Sequence, residues 1–154
     1  MKKKIVLVLI VLLVVIQFIR PGRNGSVTAS TNEISGYYSV PDTVAGILKR
    51  SCYNCHSNNT SYPWYTNIQP VGWWMQHHVN EGKDELNFSE FGGYTAKRQH
   101  HKMEEIAEQV KKGEMPLNSY LWVHTDARLS ESEKEILIAW ANELGKRIAE
   151  KGPL

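Results

Sequence analysis

Two cysteines, three residues apart and followed at once by a histidine, limit this chain more than any other feature. Cys52-Tyr53-Asn54-Cys55-His56 reads C-x-x-C-H, and these are the only 2 cysteines among 154 residues. A disulfide-rich scaffold is excluded. A zinc site made of cysteines alone is excluded too, because it needs four thiolates. The spacing sets both thiols on one face of a helix end. This is the attachment pattern of a c-type haem: each thiol can join a vinyl group as a thioether, and the imidazole of His56 then faces the iron. Two other chemistries use the same residues. A thiol–disulfide pair sits at a helix N-terminus, where the helix dipole lowers the thiol pKa. Here the pair falls at the C-terminal end of its helix, and no strand pattern accompanies it. A zinc site would have to recruit two of the 6 histidines, and adjacent His100 and His101 cannot easily share one metal. Covalent haem is the expectation.

The N-terminus adds an address. Lys2, Lys3 and Lys4 precede Ile5–Ile19, an apolar run broken only by Gln17, and Arg20-Pro21-Gly22 end it. As a helix the run would span about 22 Å, against a hydrocarbon core of ~30 Å. It reads either as an uncleaved anchor, whose flanking cations snorkel to the two surfaces, or as a cleaved export signal. The one small-residue cleavage site, Val27-Thr28-Ala29, lies far beyond the run, which favours the anchor. Both readings export the remainder, and the positive-inside rule keeps Lys2–Lys4 in the cytoplasm. Residues 1–22 are thus expected to be an inner-membrane anchor or signal segment, with the haem domain on the periplasmic side. Residues 23–40 are Ser/Thr/Asn/Gly-rich without periodicity and read as a flexible linker.

From Pro41 onward the pattern is helical. Pro41 suits a first helical position, and Val44, Leu48 and Cys52 recur at steps of four, predicting a helix over about 41–55. Asn58–Pro70 is turn-rich and reads as a loop. A short helix is expected over Val71–Glu81, stopped near Gly82, then a turn over Asn87–Gly93. A helix over Thr95–Lys112 turns Met103, Ile106 and Val110 inward and ends at Gly113. Ser130 and Glu133 form a capping box, after which Ile136, Trp140, Leu144 and Ile148 share a stripe. No segment alternates like a strand. The expectation is an all-α, small cytochrome c-like helical domain with long loops over 41–150.

Haem iron accepts a sixth ligand. Met115 lies on a loop fixed by Pro116 and is the first candidate; a Met/His pair favours reduced iron and raises the potential. His124 is the alternative. His77 and His78 lie beside Trp73 and Trp74 and read as packing or hydrogen-bonding residues. Lys97 or Arg98, in a basic run with Lys102, could pair a haem propionate. Trp64, Tyr65, Trp73, Trp74, Trp122 and Trp140 supply either core or pocket wall; Trp64 and Tyr65, in the loop after the motif, are the choices for the pocket. A carbonyl of Pro63 or Pro70 could orient His56 through its ring N–H.

The chain resembles the small bacterial haem-binding domain proteins related to c-type cytochromes. The resemblance runs from about Pro41 to Ala149. It rests on Cys52–His56 with Ser57-Asn58, on Pro63-Trp64-Tyr65 and Pro70-Val71, and on Glu81-Gly82-Lys83 and Leu86-Asn87-Phe88-Ser89. Gly113-Glu114-Met115-Pro116, His124, Ala127-Arg128-Leu129-Ser130 and Ala139-Trp140-Ala141 complete it. It implies one covalent c-type haem with His56 as an axial ligand, in a helical cytochrome-like fold.

Charge removes one class of partner. Beyond residue 19 the chain carries 15 basic against 16 acidic residues, so it has no electrostatic footprint for nucleic acid. The expected function is single-electron transfer by an exported, membrane-tethered monohaem c-type cytochrome. Its partners would be redox proteins of the respiratory or periplasmic chain, and it would not be an enzyme. The rival readings are a haem-based redox or gas sensor with an exchangeable sixth ligand, and a zinc-stabilised binding module. A peroxidase using His124 or His78 has no positive support.

Overall fold

A computed structural model describes residues 1–151. Its helices are α1 (Lys2–Ile16), α2 (Ile34–Tyr37), α3 (Asp42–Ser51), α4 (Tyr53–His56), α5 (Val71–Glu85), α6 (Ala96–Lys112), α7 (Asn118–Leu121) and α8 (Glu131–Lys151), with 3₁₀ turns at Trp64–Asn67, Phe88–Gly93 and Thr125–Ala127. No strand occurs among the described residues, and the all-α expectation holds.

The long pair α6 and α8 forms the frame. Thr95 caps α6 by accepting a hydrogen bond from the Arg98 amide, and Gly113 closes it at φ 72°, a left-handed position suited to glycine. The capping box of α8 forms: the Ser130 amide donates to Glu133 Oε2 at 2.9 Å, and the Glu133 amide donates to Ser130 Oγ at 3.3 Å. Met103, Ala107 and Val110 of α6 meet Leu137, Ala141, Leu144 and Ile148 of α8 in the core. Ile136, expected on this stripe, lies instead at its exposed margin, because Leu137 takes the inward position. The helix α3 adds Val44, Ile47 and Leu48, and the 3₁₀ turn at Phe88–Gly93 adds Phe88 and Phe91.

Four local features differ from expectation. The helix predicted over 41–55 breaks at Cys52 (φ −125°, ψ −42°), so the C-x-x-C-H residues form a separate turn, and Pro41 precedes the helix rather than opening it. The helix α5 does not stop at Gly82 but runs to Glu85. The loop over 58–70 contains a 3₁₀ turn.

The flexible-linker expectation for residues 23–40 is corrected. Ile34 of α2 is fully buried in the core. The Asn24 side chain donates to the Ser57 carbonyl at 2.9 Å and to Thr60 Oγ1 at 2.8 Å, and accepts from Lys83 Nζ at 2.7 Å. The polar residues that read as a solvated tether are hydrogen-bond partners of the body, a pairing that no local periodicity could reveal. At the N-terminus α1 buries none of its residues. Among the described residues no helix is long and apolar enough to cross a membrane, so α1 by its length alone does not provide the spanning anchor expected of residues 1–22.

Candidate haem-binding site

The break at Cys52 lays α4 against α5, and this contact builds one wall of a cavity of about 480 Å³. Cys52, Cys55, His56, His78 and Gly82 line it on this side; Ile106, Val110, Met115, Leu117 and Tyr120 line it from α6 and the segment that follows. Leu48, Leu129 and Leu137 supply apolar floor. Gly82 explains the close approach of α4. A Cβ there would lie 3.0 Å from both the Cβ and the carbonyl oxygen of Cys55, so the glycine expected to end a helix is instead the point where two helices touch.

His56 is held by its ring. Nδ1 lies 2.8 Å from the Gly82 carbonyl and 3.0 Å from the Leu86 carbonyl, both at the C-terminal end of α5. Only a protonated Nδ1 can donate there, which fixes the tautomer with a free lone pair on Nε2. Burial pushes the imidazole below its ordinary pKa, more than these two carbonyls raise it, so the ring is neutral at physiological pH, as a metal ligand must be. The Pro63 and Pro70 carbonyls, the expected partners, do not fill this role; helix α5 does, because α4 packs on its end.

Burial also pushes the Cys52 thiol up to about 12, with the neighbouring Cys55 adding to it, and the Cys55 thiol up to about 11. Both are free and protonated at neutral pH. A disulfide-exchange site needs the opposite, a thiol shifted toward thiolate. Among the described residues no group of three His, Cys, Asp or Glu side chains is arranged to hold a metal ion, which leaves the zinc alternative without a ligand set.

The two intervening residues of the motif are struts. Asn54 Nδ2 donates to Tyr120 Oη at 2.7 Å, tying α4 to α7 across the cavity. Tyr53 Oη donates to Glu33 at 3.0 Å, and its ring stacks on Phe88 at 5.4 Å. A second tie between the walls is Lys102, whose ammonium lies 2.6 Å from Glu105 and 3.3 Å from Glu85. Burial alone would lower the Lys102 pKa, but these two carboxylates hold it above its ordinary value. The basic run thus contributes a buried, paired lysine to the cavity wall, while Lys97 and Arg98 lie outside it. Arg98 packs over the Tyr94 ring at 4.0 Å.

Of the expected site residues, Cys52, Cys55, His56 and Met115 share one cavity. Trp64, Tyr65 and His124 do not line it. Trp64 is 75% exposed. Tyr65 Oη lies 2.8 Å from His124 Nε2, and the His124 ring stacks on Tyr120 at 4.2 Å. His124 is therefore engaged behind the Tyr120 wall, which corrects its place as alternative sixth ligand and that of Trp64 and Tyr65 as pocket wall. Of the tryptophans only Trp140 is core. Sequence reasoning missed Asn54, Gly82, Lys102 and Tyr120 as site residues; only the α4–α5 and α4–α7 contacts give them their roles. Lys83, adjacent to Gly82, turns away to Asn24.

The fit to haem rests on this donor set together with one orphan. Ser51 lines the cavity beside Cys52, and its buried Oγ has no hydrogen-bond partner, leaving a polar group available to a bound cofactor. An apolar hollow, two protonated thiols, a neutral imidazole with a free nitrogen and a thioether are the groups a c-type haem uses. Comparison with characterised proteins and with solved structures gives no match. A family model for the haem-binding domain matches residues 11–143. Beginning inside α1 and ending inside α8, that match takes in the whole cavity, and the chain belongs to the haem-binding domain family.

Proposed function

We propose that this haem-binding protein is an exported, membrane-tethered monohaem c-type cytochrome that passes single electrons to and from redox partner proteins of the respiratory or periplasmic chain. The observation that carries the reading is the clamp on His56: Nδ1 is committed to the Gly82 and Leu86 carbonyls, and Nε2 is left for iron. Haem bound here supplies the one-electron couple.

The chain's own groups do the rest. Cys52 and Cys55 would hold the haem as thioethers; as protonated thiols each would supply both the sulfur and the proton that addition to a vinyl group requires, so no oxidant would be needed. Met115, which lines the same cavity, would hold the iron through its thioether and would favour the reduced state. The apolar floor of Leu48, Leu129 and Leu137 excludes water, which limits reorganisation around the charge change.

Tethering is part of the proposal. From Ile5 onward the helix α1 is apolar on every side, and it is exposed; a short apolar helix is accommodated in a bilayer by snorkelling of flanking cations and local thinning. Lys2–Lys4 would remain on the cytoplasmic side.

The full chain, expressed in a host that carries out c-type maturation, should gain one haem by intact mass and give a pyridine haemochrome spectrum of the two-thioether type. Polypeptide mass alone, or haem that acid acetone extracts, overturns the reading.

A further inference from the structure

The helix α1 is joined to the haem domain, and the surface around the joint has its own character. Gln17 Nε2 donates to the Gln69 carbonyl at 3.1 Å, the Gln69 amide donates to Gln17 Oε1 at 2.9 Å, and Trp73 Nε1 donates to the Ile19 carbonyl at 2.7 Å. These three bonds fix where the apolar helix leaves the body: at the N-terminal end of α5.

Large apolar side chains surround that exit. Ile68 and Val71, on either side of the Gln69-Pro70 joint, are 48% and 38% exposed, and Trp74 is 43% exposed. Val71 and Trp74 are three residues apart on α5 and share a face. Trp64 is exposed in the 3₁₀ turn that runs directly into Ile68. Its carbonyl accepts from Asn67 Nδ2 at 2.9 Å, and Asn67 Oδ1 accepts from Arg23 at 2.6 Å. Beside the joint lies a polar hollow of about 420 Å³ lined by Arg20 and Arg23 and by no acidic residue. Neither arginine forms an ion pair with a carboxylate among the described residues.

We infer that this surface is a seat on an anionic phospholipid bilayer: Trp64, Ile68, Val71 and Trp74 enter the interfacial zone, and Arg20 and Arg23 take lipid phosphates. The inference rests on the tethering proposed above. The argument for lipid as the occupant is continuity with α1, a helix that is wholly apolar from Ile5 to Ile16 and whose end is hydrogen-bonded into this patch. Tryptophan at the headgroup level beside arginine is the composition such a boundary selects, and arginine is the side chain whose fork matches phosphate. The seat gives the domain one orientation. Trp74 touches His78, ring centroids 4.6 Å apart, and His78 lines the haem cavity. Four residues of helix, about 6 Å, separate the seated surface from the cavity wall.

The test is hydroxyl-radical footprinting of the full holoprotein in nanodiscs containing phosphatidylglycerol and phosphatidylcholine. Oxidation of Trp64 and Trp74 is read against Tyr37, which is 54% exposed and packs beside Gly92, beyond the opposite end of α5. Trp64 and Trp74 should be protected several-fold relative to Tyr37. Protection should be weaker in discs of phosphatidylcholine alone, and R20Q with R23Q should lower protection in the anionic discs to that level. Protein retained on discs, with Trp64 and Trp74 oxidised as readily as Tyr37, overturns the seat while leaving the tether intact. Protection indifferent to both lipid charge and the arginine changes overturns the phosphate assignment. Protein that leaves the discs altogether overturns the tether and the seat together.

Discussion

The two walls of the cavity are built on different principles. The α4–α5 wall is rigid by contact: a glycine brings two backbones together, and two carbonyls hold one imidazole nitrogen. The wall opposite is a chain reversal. Gly113 turns left-handed, the Met115 amide donates to the Gln109 carbonyl at 3.3 Å, and the thioether side chain has no polar partner. A planar imidazole must be aimed, so its wall is over-determined. A methionine has three rotatable bonds and a polarizable sulfur that adapts to what it meets, so its wall need only place it nearby. Asn54–Tyr120 and Glu85–Lys102 join the two.

This contrast predicts unequal consequences of change. The largest is expected for Cys52→Ala with Cys55→Ala: the matured protein should carry no covalent haem by intact mass, whereas changes on the opposite wall leave attachment complete. Next comes Met115→Ala. It should keep its haem, lose the weak far-red band of a Met–Fe(III) bond, lower the midpoint potential and bind CO faster when reduced. An unchanged far-red band would remove Met115 as the ligand, and CO binding that is already rapid in the unaltered protein would favour the sensor reading.

Two glycines sharpen the comparison further. Alanine in a helix interior is normally favoured over glycine by about 1 kcal/mol. Gly82→Ala should nevertheless destabilise by about 1–2 kcal/mol, because its Cβ would press on Cys55, and it should perturb the His56–iron bond in the Raman spectrum. Gly113→Ala meets no neighbouring atom. It should cost about 1 kcal/mol through its left-handed backbone alone and leave that bond unmoved. Thermal melts of the two matured variants check both. A Gly82 variant that melts above the parent would refute the close-packing argument.

The smallest effect lies at the cap of α8, whose Ser130 and Glu133 do not line the cavity. Ser130→Ala should cost about 1 kcal/mol through the lost cap with an unchanged visible spectrum. Hydrogen bonds from Ser130 and then Arg50 hold the Glu133 carboxyl at about 2, below the ordinary 4.5. A depressed carboxyl stabilises the fold above its unfolded pKa, so this contribution is whole above about 4.5 and is lost as pH falls toward about 2. Melts of Glu133→Gln should therefore converge on those of the parent in that acid window and stay below them at pH 7.

Much of the architecture was legible because it is local. A Gly after a helical stripe, a Ser-x-x-Glu box and an alternation-free pattern act through neighbours in the chain, so α6, α8 and the all-α class follow from residue order. The chemistry of Cys52, Cys55 and His56 was legible for the same reason, since its three groups lie within five residues. Met115 depended on a loop signature sixty residues on. Its place in the same cavity agrees with that signature.

Residue order alone determined which groups are present and which face of each helix is apolar. Tertiary structure decided what those groups touch. It converted Gly82 from a helix stop into a contact, Lys102 from one member of a basic run into a buried tie, and residues 23–40 from a tether into part of the body. It also took Trp64, Tyr65 and His124 out of the pocket. The reason is range: a hydrogen bond from Asn24 to Ser57, or a carbonyl of Gly82 beneath His56, joins residues 33 and 26 positions apart, and no periodicity in the intervening chain encodes such a meeting.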